Sequence, residues 1–348
     1  MISGRKEKSM QFEKVIKVIE THTAGNPTRH ILGGAPEIKG KTMAEKMQYM
    51  HDHHDWIRKV TQQEPRGHAS MSGTLYVPPC DPRADIGILY FDACDYMTMC
   101  GHSTIAVSTI LVETGMVEKT EPVTTVRLDT PAGLVTAEVR VENGNVKEVT
   151  FSNVPSFLYK SEMIEVEGYG EVPVDVAFGG MAYAIVPASR FGVRVSPENV
   201  NKLMELAHKV YRAAQTQIGF IHPENPFIDR IHSVMFQEPG ENGADSKEVV
   251  ICIPAEEGNS TAVDRSPCGT GTSARVAAEF AHGSIKEGQP FVQESIIGTR
   301  FAGRISKRQD TAGYIGGIPQ ITGSAYITAF TDYVVSTDDP LKEGFILG

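Results

Sequence analysis

Two stretches of this chain decide its architecture: Cys100-Gly-His-Ser-Thr-Ile-Ala-Val-Ser-Thr-Ile-Leu-Val-Glu-Thr-Gly115 and Cys268-Gly-Thr-Gly-Thr-Ser-Ala-Arg-Val-Ala-Ala-Glu-Phe-Ala-His-Gly283. Laid on each other without gaps, they coincide at Cys100/Cys268, Gly101/Gly269, Thr104/Thr272, Ala106/Ala274 and Gly115/Gly283. Each begins with small polar residues suited to a helix start, runs through an apolar stretch, and ends at a glycine suited to a left-handed C-cap. The pattern predicts two equivalent helices, each with a cysteine at its N-terminus.

That location carries chemistry. Free backbone N–H groups and the positive end of the helix dipole lower a thiol's pKa and bind anions. One such cysteine would suit a nucleophile or a redox centre. Two of them, on equivalent helices of two equivalent lobes, are better explained by a substrate that both face. A carboxylate between the two helix starts would have its developing enolate charge stabilised by fixed donors, with a thiol on either side of the α-carbon. One thiol group would take the α-proton and the other return it from the opposite face, which is acid–base catalysis arranged for inversion. The bland alternative is a pair of buried helix-start cysteines left by duplication.

The rest of the composition narrows the field. At 348 residues, about two domains are expected. Hydrophobic residues at 41% and charged residues at 22% suit an ordinary globular protein. A net charge of −10 and the lack of a long Lys/Arg run argue against nucleic acid as a partner. No apolar stretch near the start is long enough for a signal or membrane segment, so a cytoplasmic protein without membrane association is expected. Residues Met1 to Ser9 read as a loose extension before Met10. The five cysteines, at 80, 94, 100, 252 and 268, fit neither a disulfide framework nor a zinc ribbon. Cys80, Cys94 and Cys252 lack the small-residue helix start and read as small buried hydrophobes.

Strands are expected over Phe12 to Glu20, Asp85 to Asp92, Val123 to Thr130, Lys247 to Ile253 and Tyr326 to Val335. Alternation at Val135, Ala137, Val139 and Val141, then Asn143-Gly144 and Val146 to Phe151, predicts a hairpin. Val172, Val174 and Val176 alternate similarly, and Met181 to Val186 continues a sheet. Met43, Met47, Met50, His54, Ile57 and Val60 predict one amphipathic helix; Val200, Leu203, Ala207, Val210 and Ala214 predict another, opened by Ser196-Pro197. Many short strands with few helices and no regular alternation speak against a doubly wound fold.

Met99-Cys100-Gly101-His102 and Asp264-Arg265-Ser266-Pro267-Cys268-Gly269-Thr270-Gly271-Thr272 resemble the two signature motifs of the proline racemase family. His22-Thr23-Ala24-Gly25, Glu64-Pro65-Arg66-Gly67-His68 and Gly323-Ser324-Ala325-Tyr326-Ile327-Thr328 resemble further family blocks, so the likeness runs from about Phe12 to the C-terminus. The resemblance implies an α+β fold of the diaminopimelate epimerase type: two similar lobes, each a curved β-sheet around a central helix, with the active site between them. The first lobe is expected to be residues 10–157 with 324–348, carrying Cys100, and the second 158–323, carrying Cys268.

Carried over by position, the resemblance makes Cys100 and Cys268 the acid/base thiols of a racemase or epimerase acting on proline-type imino acids. It gives His102 and Asp264 to the substrate's ring nitrogen, and backbone donors at Gly101, Gly269 and Thr270 to its carboxylate. The residues alone allow blander roles: a packing or capping histidine, and an Asp264 that caps the second helix. Arg66 and His68 are read as framework residues of the cleft. No cofactor and no metal are expected, since thiols and helix termini supply proton transfer and charge stabilisation. The expected partner is a small imino acid; a homodimer is left open.

In family members that act on plain proline the pocket wall is usually aromatic where Ser72 and Cys252 stand. Smaller, more polar walls suit a hydroxyproline, because a buried hydroxyl needs space and a hydrogen-bond partner. This slightly favours a 4-hydroxyproline 2-epimerase over a proline racemase proper. Ser103 replaces a common glycine, and the stretch Ala255 to Val263 is longer than usual. A related branch that dehydrates 3-hydroxyproline typically has Thr at the second thiol, against which Cys268 argues. A non-catalytic thiol or metal protein, with His51, His53 and His54 as ligands, is the remaining alternative; a solvated helix face explains those histidines better.

Overall fold

A computed structural model describes residues 12–254 and 261–347. The N-terminal extension, Met1 to Ser9, and most of the long stretch before the second motif therefore lie outside the described residues. The first lobe opens with β1 (Phe12–Thr23) and β2 (Asn26–Gly33), then α1 (Met43–His54) and α2 (Trp56–Gln62). It continues through β3 (Ser72–Val77), β4 (Ile86–Asp92), β5 (Tyr96–Met97) and α3 (Gly101–Glu113) to β6 (Val123–Thr130), β7 (Gly133–Glu142) and β8 (Asn145–Ser152). The second lobe runs β9 (Ser156–Val166), β10 (Gly170–Phe178), β11 (Ala182–Pro187), α4 (Val200–Gln217), β12 (Ser233–Pro239) and β13 (Ser246–Cys252). It ends with β14 (Ala262–Val263), α5 (Gly269–His282), β15 (Phe291–Ser295), β16 (Arg300–Arg308) and β17 (Gly316–Gly323). The last strand, β18 (Ala325–Ser336), returns to pair with β1.

The duplication read from two helices extends to the whole sheet. In the first lobe the strand order is β18-β1-β2-β3-β4-β6-β7-β8; in the second it is β9-β10-β11-β12-β13-β15-β16-β17. Both orders step antiparallel, antiparallel, parallel, antiparallel, parallel, antiparallel, antiparallel. A parallel step needs a crossover. In each lobe the first crossover is helical, α1 with α2 or α4, and the second is the central helix, α3 or α5. The lobes share hydrogen bonds where β17 pairs with β8, while β17 also pairs with β9 within the second lobe.

The central helices are swallowed by their sheets. Every residue from Gly101 to Val112 is buried, so α3 is apolar or small on all sides rather than striped. Ile105, Val107, Leu111 and Val112 join Val126, Val139 and Phe151 in a core that continues into the second lobe. Full burial of each large aliphatic contributes about 1.5–3 kcal/mol. Both helices are stopped by the predicted glycines, Gly115 at φ 73° and Gly283 at φ 77°. The Asn143-Gly144 turn has both residues at positive φ, as a two-residue hairpin requires.

Two helix readings need correction. The stripe from Met43 to Val60 is two helices, divided at Asp55, whose carboxylate is taken by Arg58 at 2.7 Å and by the Tyr96 hydroxyl at 2.9 Å. The apolar spacing carried straight across this break, because Met50 and Ile57 face one smaller core on either side of it. Ser196-Pro197 opens a single 3-10 turn, Pro197–Asn199, and α4 follows from it. No helix of the described residues is long and apolar enough to cross a membrane.

Candidate active site

Cys100 and Cys268 are the N-cap residues of α3 and α5. The helices meet N-terminus to N-terminus: a Cβ built on Gly101 would come within 2.4 Å of the Gly269 Cα, and one on Gly269 within 2.6 Å of the Gly101 Cα. No side chain larger than hydrogen fits at either position, which gives the Cys-Gly pair of each repeat its physical reason. The meeting point puts the positive ends of two helix dipoles, and the first-turn N–H groups of both, around one spot.

A small cavity of about 30 Å³ opens there, lined by Cys100, Cys268, His102, Asp264, Ser72 and Cys252 together with Thr270. Gly101 and Gly269 are not among its lining residues; they touch each other next to Cys100 and Cys268. The residues singled out from the sequence as touching substrate are thus gathered from both lobes. Asn26, Ser70, Asp92, Met97, Met181 and Tyr183 are among the other wall residues and were not foreseen. Tyr183 lay hidden in an apolar run read only as strand, and Asn26 opens β2, a strand the sequence reading did not single out.

Each thiol has its own partners. Cys100 Sγ lies 3.4 Å from His102 Nδ1 and 3.1 Å from Ser103 Oγ, so the residue standing where glycine is common adds a hydroxyl to the thiol. Cys268 Sγ accepts the Gly271 N–H at 3.3 Å and lies 3.5 Å from the Tyr183 hydroxyl, which bonds Thr270 Oγ1 at 2.5 Å. Burial pushes the Cys268 thiol well up, and Asp264 and Glu248 push it further.

His102 and Asp264 approach each other at 3.8 Å, Nδ1 to Oδ2, from opposite lobes. Burial lowers His102, but Cys100 and Asp264 overcome it and raise the ring to about 9. Asp264 is not the cap of α5, a role that Cys268 fills. Its Oδ1 instead accepts the Ser266 N–H and O–H, both at 2.8 Å, closing the turn that leads into Cys268. Cys252 lies at the end of β13 with its thiol pushed well up by burial and Asp92.

Arg66 and His68 do not line the cavity. The Arg66 guanidinium holds the C-terminal segment through Lys342 O at 3.2 Å and Asp339 at 3.5 Å. His68 Nδ1 accepts the N–H of the wall residue Ser70 at 3.2 Å. His51 and His53 are exposed on α1, and no group of three or more His, Cys, Asp or Glu among the described residues is arranged to hold a metal ion.

The model of the family described as proline racemase matches residues 18–346. A proline racemase of Clostridioides difficile is 44% identical over 340 residues, covering 97% of this chain and all of that protein. A 4-hydroxyproline 2-epimerase of Streptosporangium roseum is 42% identical over 339 residues, with 97% of this chain and all of that protein covered. Among solved structures, a hydroxyproline epimerase from Agrobacterium vitis, with bound trans-4-hydroxy-L-proline, superposes with a TM-score of 0.89 at 33% identity over 97% of both chains. With both cysteine motifs inside the matched span and relatives aligned nearly end to end, the chain belongs to the proline racemase family of amino-acid isomerases.

Proposed function

We propose that this chain inverts the α-carbon of a proline-type imino acid by a two-base mechanism, with 4-hydroxyproline favoured over proline. The observation that carries the reading is the meeting of two cysteine-capped helices at Gly101 and Gly269. The substrate carboxylate lies between the helix starts and takes backbone N–H groups at Gly101, Gly269 and Thr270. The secondary amine faces His102 and Asp264. One thiol group, as thiolate, removes the α-proton and leaves an enediolate whose charge the two helix N-termini stabilise; the other delivers its own proton to the opposite face. Protons balance over a turnover: each inversion exchanges which cysteine is protonated.

The lobes that hold this site are 10–157 with 324–348, and 158–323. The return of β18 to β1 supports the assignment of the C-terminal segment to the first lobe.

The preference for a hydroxylated substrate rests on Ser72 and Cys252 in the cavity wall. A serine hydroxyl can satisfy a buried substrate hydroxyl that an aromatic wall would leave unpaired. The test is a panel of L-proline, trans-4-hydroxy-L-proline and trans-3-hydroxy-L-proline followed by chiral chromatography, with and without EDTA. Epimerisation of trans-4-hydroxy-L-proline with the highest kcat/KM, unaffected by EDTA, is expected. Proline preferred by about tenfold, equivalent to about 1.4 kcal/mol of transition-state binding, overturns the substrate assignment. Loss of activity that only a metal restores overturns the two-thiol mechanism.

A further inference from the structure

The geometry points to Asn26 as a positioning residue that fixes the tautomer of His102 and the donor direction of Ser72 when the two lobes are together. This rests on the reading of the cavity as an imino-acid site. Asn26 is the first residue of β2, is 2% exposed, and lines the cavity from the first lobe. Its Oδ1 accepts the backbone N–H of Arg265, in the second lobe, at 3.1 Å. A backbone N–H can only donate, so this bond dictates which end of the carboxamide faces the rest of the site.

The amide nitrogen therefore faces His102 Nε2 at 3.0 Å and Ser72 Oγ at 3.3 Å. Its two hydrogens serve these two acceptors. With Nε2 accepting, the ring proton belongs on Nδ1, which lies 3.4 Å from the Cys100 sulfur and 3.8 Å from Asp264. With Ser72 Oγ accepting, the serine O–H is left to donate into the cavity that Ser72 lines, toward a substrate hydroxyl. One carboxamide thus orients the proton beside a thiol and a proton on the pocket wall, and it does so only while Arg265 is within reach.

The groups that bear on His102 are Cys100, Asp264, Asp92 and the neighbouring His30, besides Asn26 itself. The acidic ones attract a second proton to the ring, and the Asn26 amide opposes it, because an Nε2–H would point at an N–H. Exchange of the carboxamide for a carboxylate reverses both effects: the ring gains an acceptor at Nε2, and the Ser72 hydroxyl turns back to donate to it.

The test compares wild type, Asn26→Asp and Asn26→Ala. Nitrogen-15 spectra of histidine-labelled free enzyme, with the His102 signals identified by their loss in His102→Gln, report the tautomer directly. Wild type above about pH 9, where the ring has given up its second proton, is expected to show protonated Nδ1 and unprotonated Nε2, and Asn26→Asp to keep both nitrogens protonated to higher pH. Both variants are expected to lower kcat/KM for trans-4-hydroxy-L-proline relative to L-proline, by about tenfold, the scale of a lost hydrogen bond to a substrate hydroxyl. An Nε2–H tautomer in wild type, or a substrate ratio unchanged in both variants, overturns the proposal. The spectra need no turnover, so a wild-type enzyme inert toward both amino acids would sink the epimerase reading while the tautomer still decides the role of Asn26.

Discussion

The two central helices share a sheet order, a cysteine cap and a terminal glycine, yet their thiols live in different fields. Cys100 caps α3 with ordinary extended backbone, φ −138°, beside a histidine and a serine. Cys268 caps α5 at φ 52°, a conformation a non-glycine residue rarely adopts, beside a tyrosine and under the influence of two carboxyl groups. Duplication gave the scaffold its symmetry, and the loops ahead of each helix broke it. Asp264 and Ser266 form a tight turn into Cys268, whereas Cys100 is reached from the short β5. The difference leaves the Cys268 thiol raised by burial, by Asp264 and by Glu248.

The largest expected effect comes from removing either member of the pair. Cys100→Ser and Cys268→Ser should each lower net inversion by about 10²–10⁴, the usual share of a positioned acid or base, since a serine hydroxyl is far too weak an acid to replace a thiol. Polarimetry measures it, and near-normal inversion in either variant breaks the two-base account.

Next is the contact between the helices. Gly269→Ala should lower kcat/KM by about 10², through misplacement of two N-termini and two thiols, and reduce stability by about 1–3 kcal/mol through overpacking. Gly283→Ala, at the other end of the same helix, meets no atom within 4 Å and should cost only about 1 kcal/mol, for its positive φ, with activity intact. Thermal melts and kcat/KM on the same preparations separate the two. Equal kinetic losses would show that the helix meeting is not what holds the site.

An effect on stability alone, with no change in turnover required, probes the buried carboxyl group behind Cys268. Glu248 is fully buried, neither carboxyl oxygen has a hydrogen-bond partner among the described residues, and burial followed by Asp264 raises it well above its ordinary range. Below the unfolded pKa, about 4.3, both states are protonated and the shift costs nothing. Above it the unfolded chain ionises while the folded one holds its proton. Stability then falls by about 1.4 kcal/mol for each pH unit until the folded pKa is reached. Glu248→Gln should therefore gain stability over wild type as pH rises from 4 to 8, read as a widening difference in denaturant midpoint. A constant difference across that range would mean that Glu248 is charged in the fold.

What the sequence made legible follows from how far apart in the chain the partners lie. The helix-start cysteines and the glycines that follow them were readable because a helix start sets its own chemistry within a few residues, whereas His102 was marked only by its likeness to a family motif. The remaining strands of the duplicated sheet, and the wall residues Asn26 and Tyr183, were not. They reach the site through crossovers, and their roles depend on atoms 76 and 85 residues away. The break at Asp55 escaped for the opposite reason, since the local pattern of Met50 and Ile57 continued undisturbed through it. Arg66 stood inside a recognisable block, but its side chain turns toward the C-terminal segment.

The most direct test of the paired thiols is isotope exchange in the two serine variants, incubated in deuterated water with each enantiomer separately. With one thiol intact, the α-hydrogen on its face can still be removed and returned without inversion. The account predicts α-deuterium in one enantiomer only for Cys100→Ser, and in the opposite enantiomer only for Cys268→Ser, read by mass spectrometry. Exchange of the same enantiomer by both variants, or of both enantiomers by either one, would contradict it.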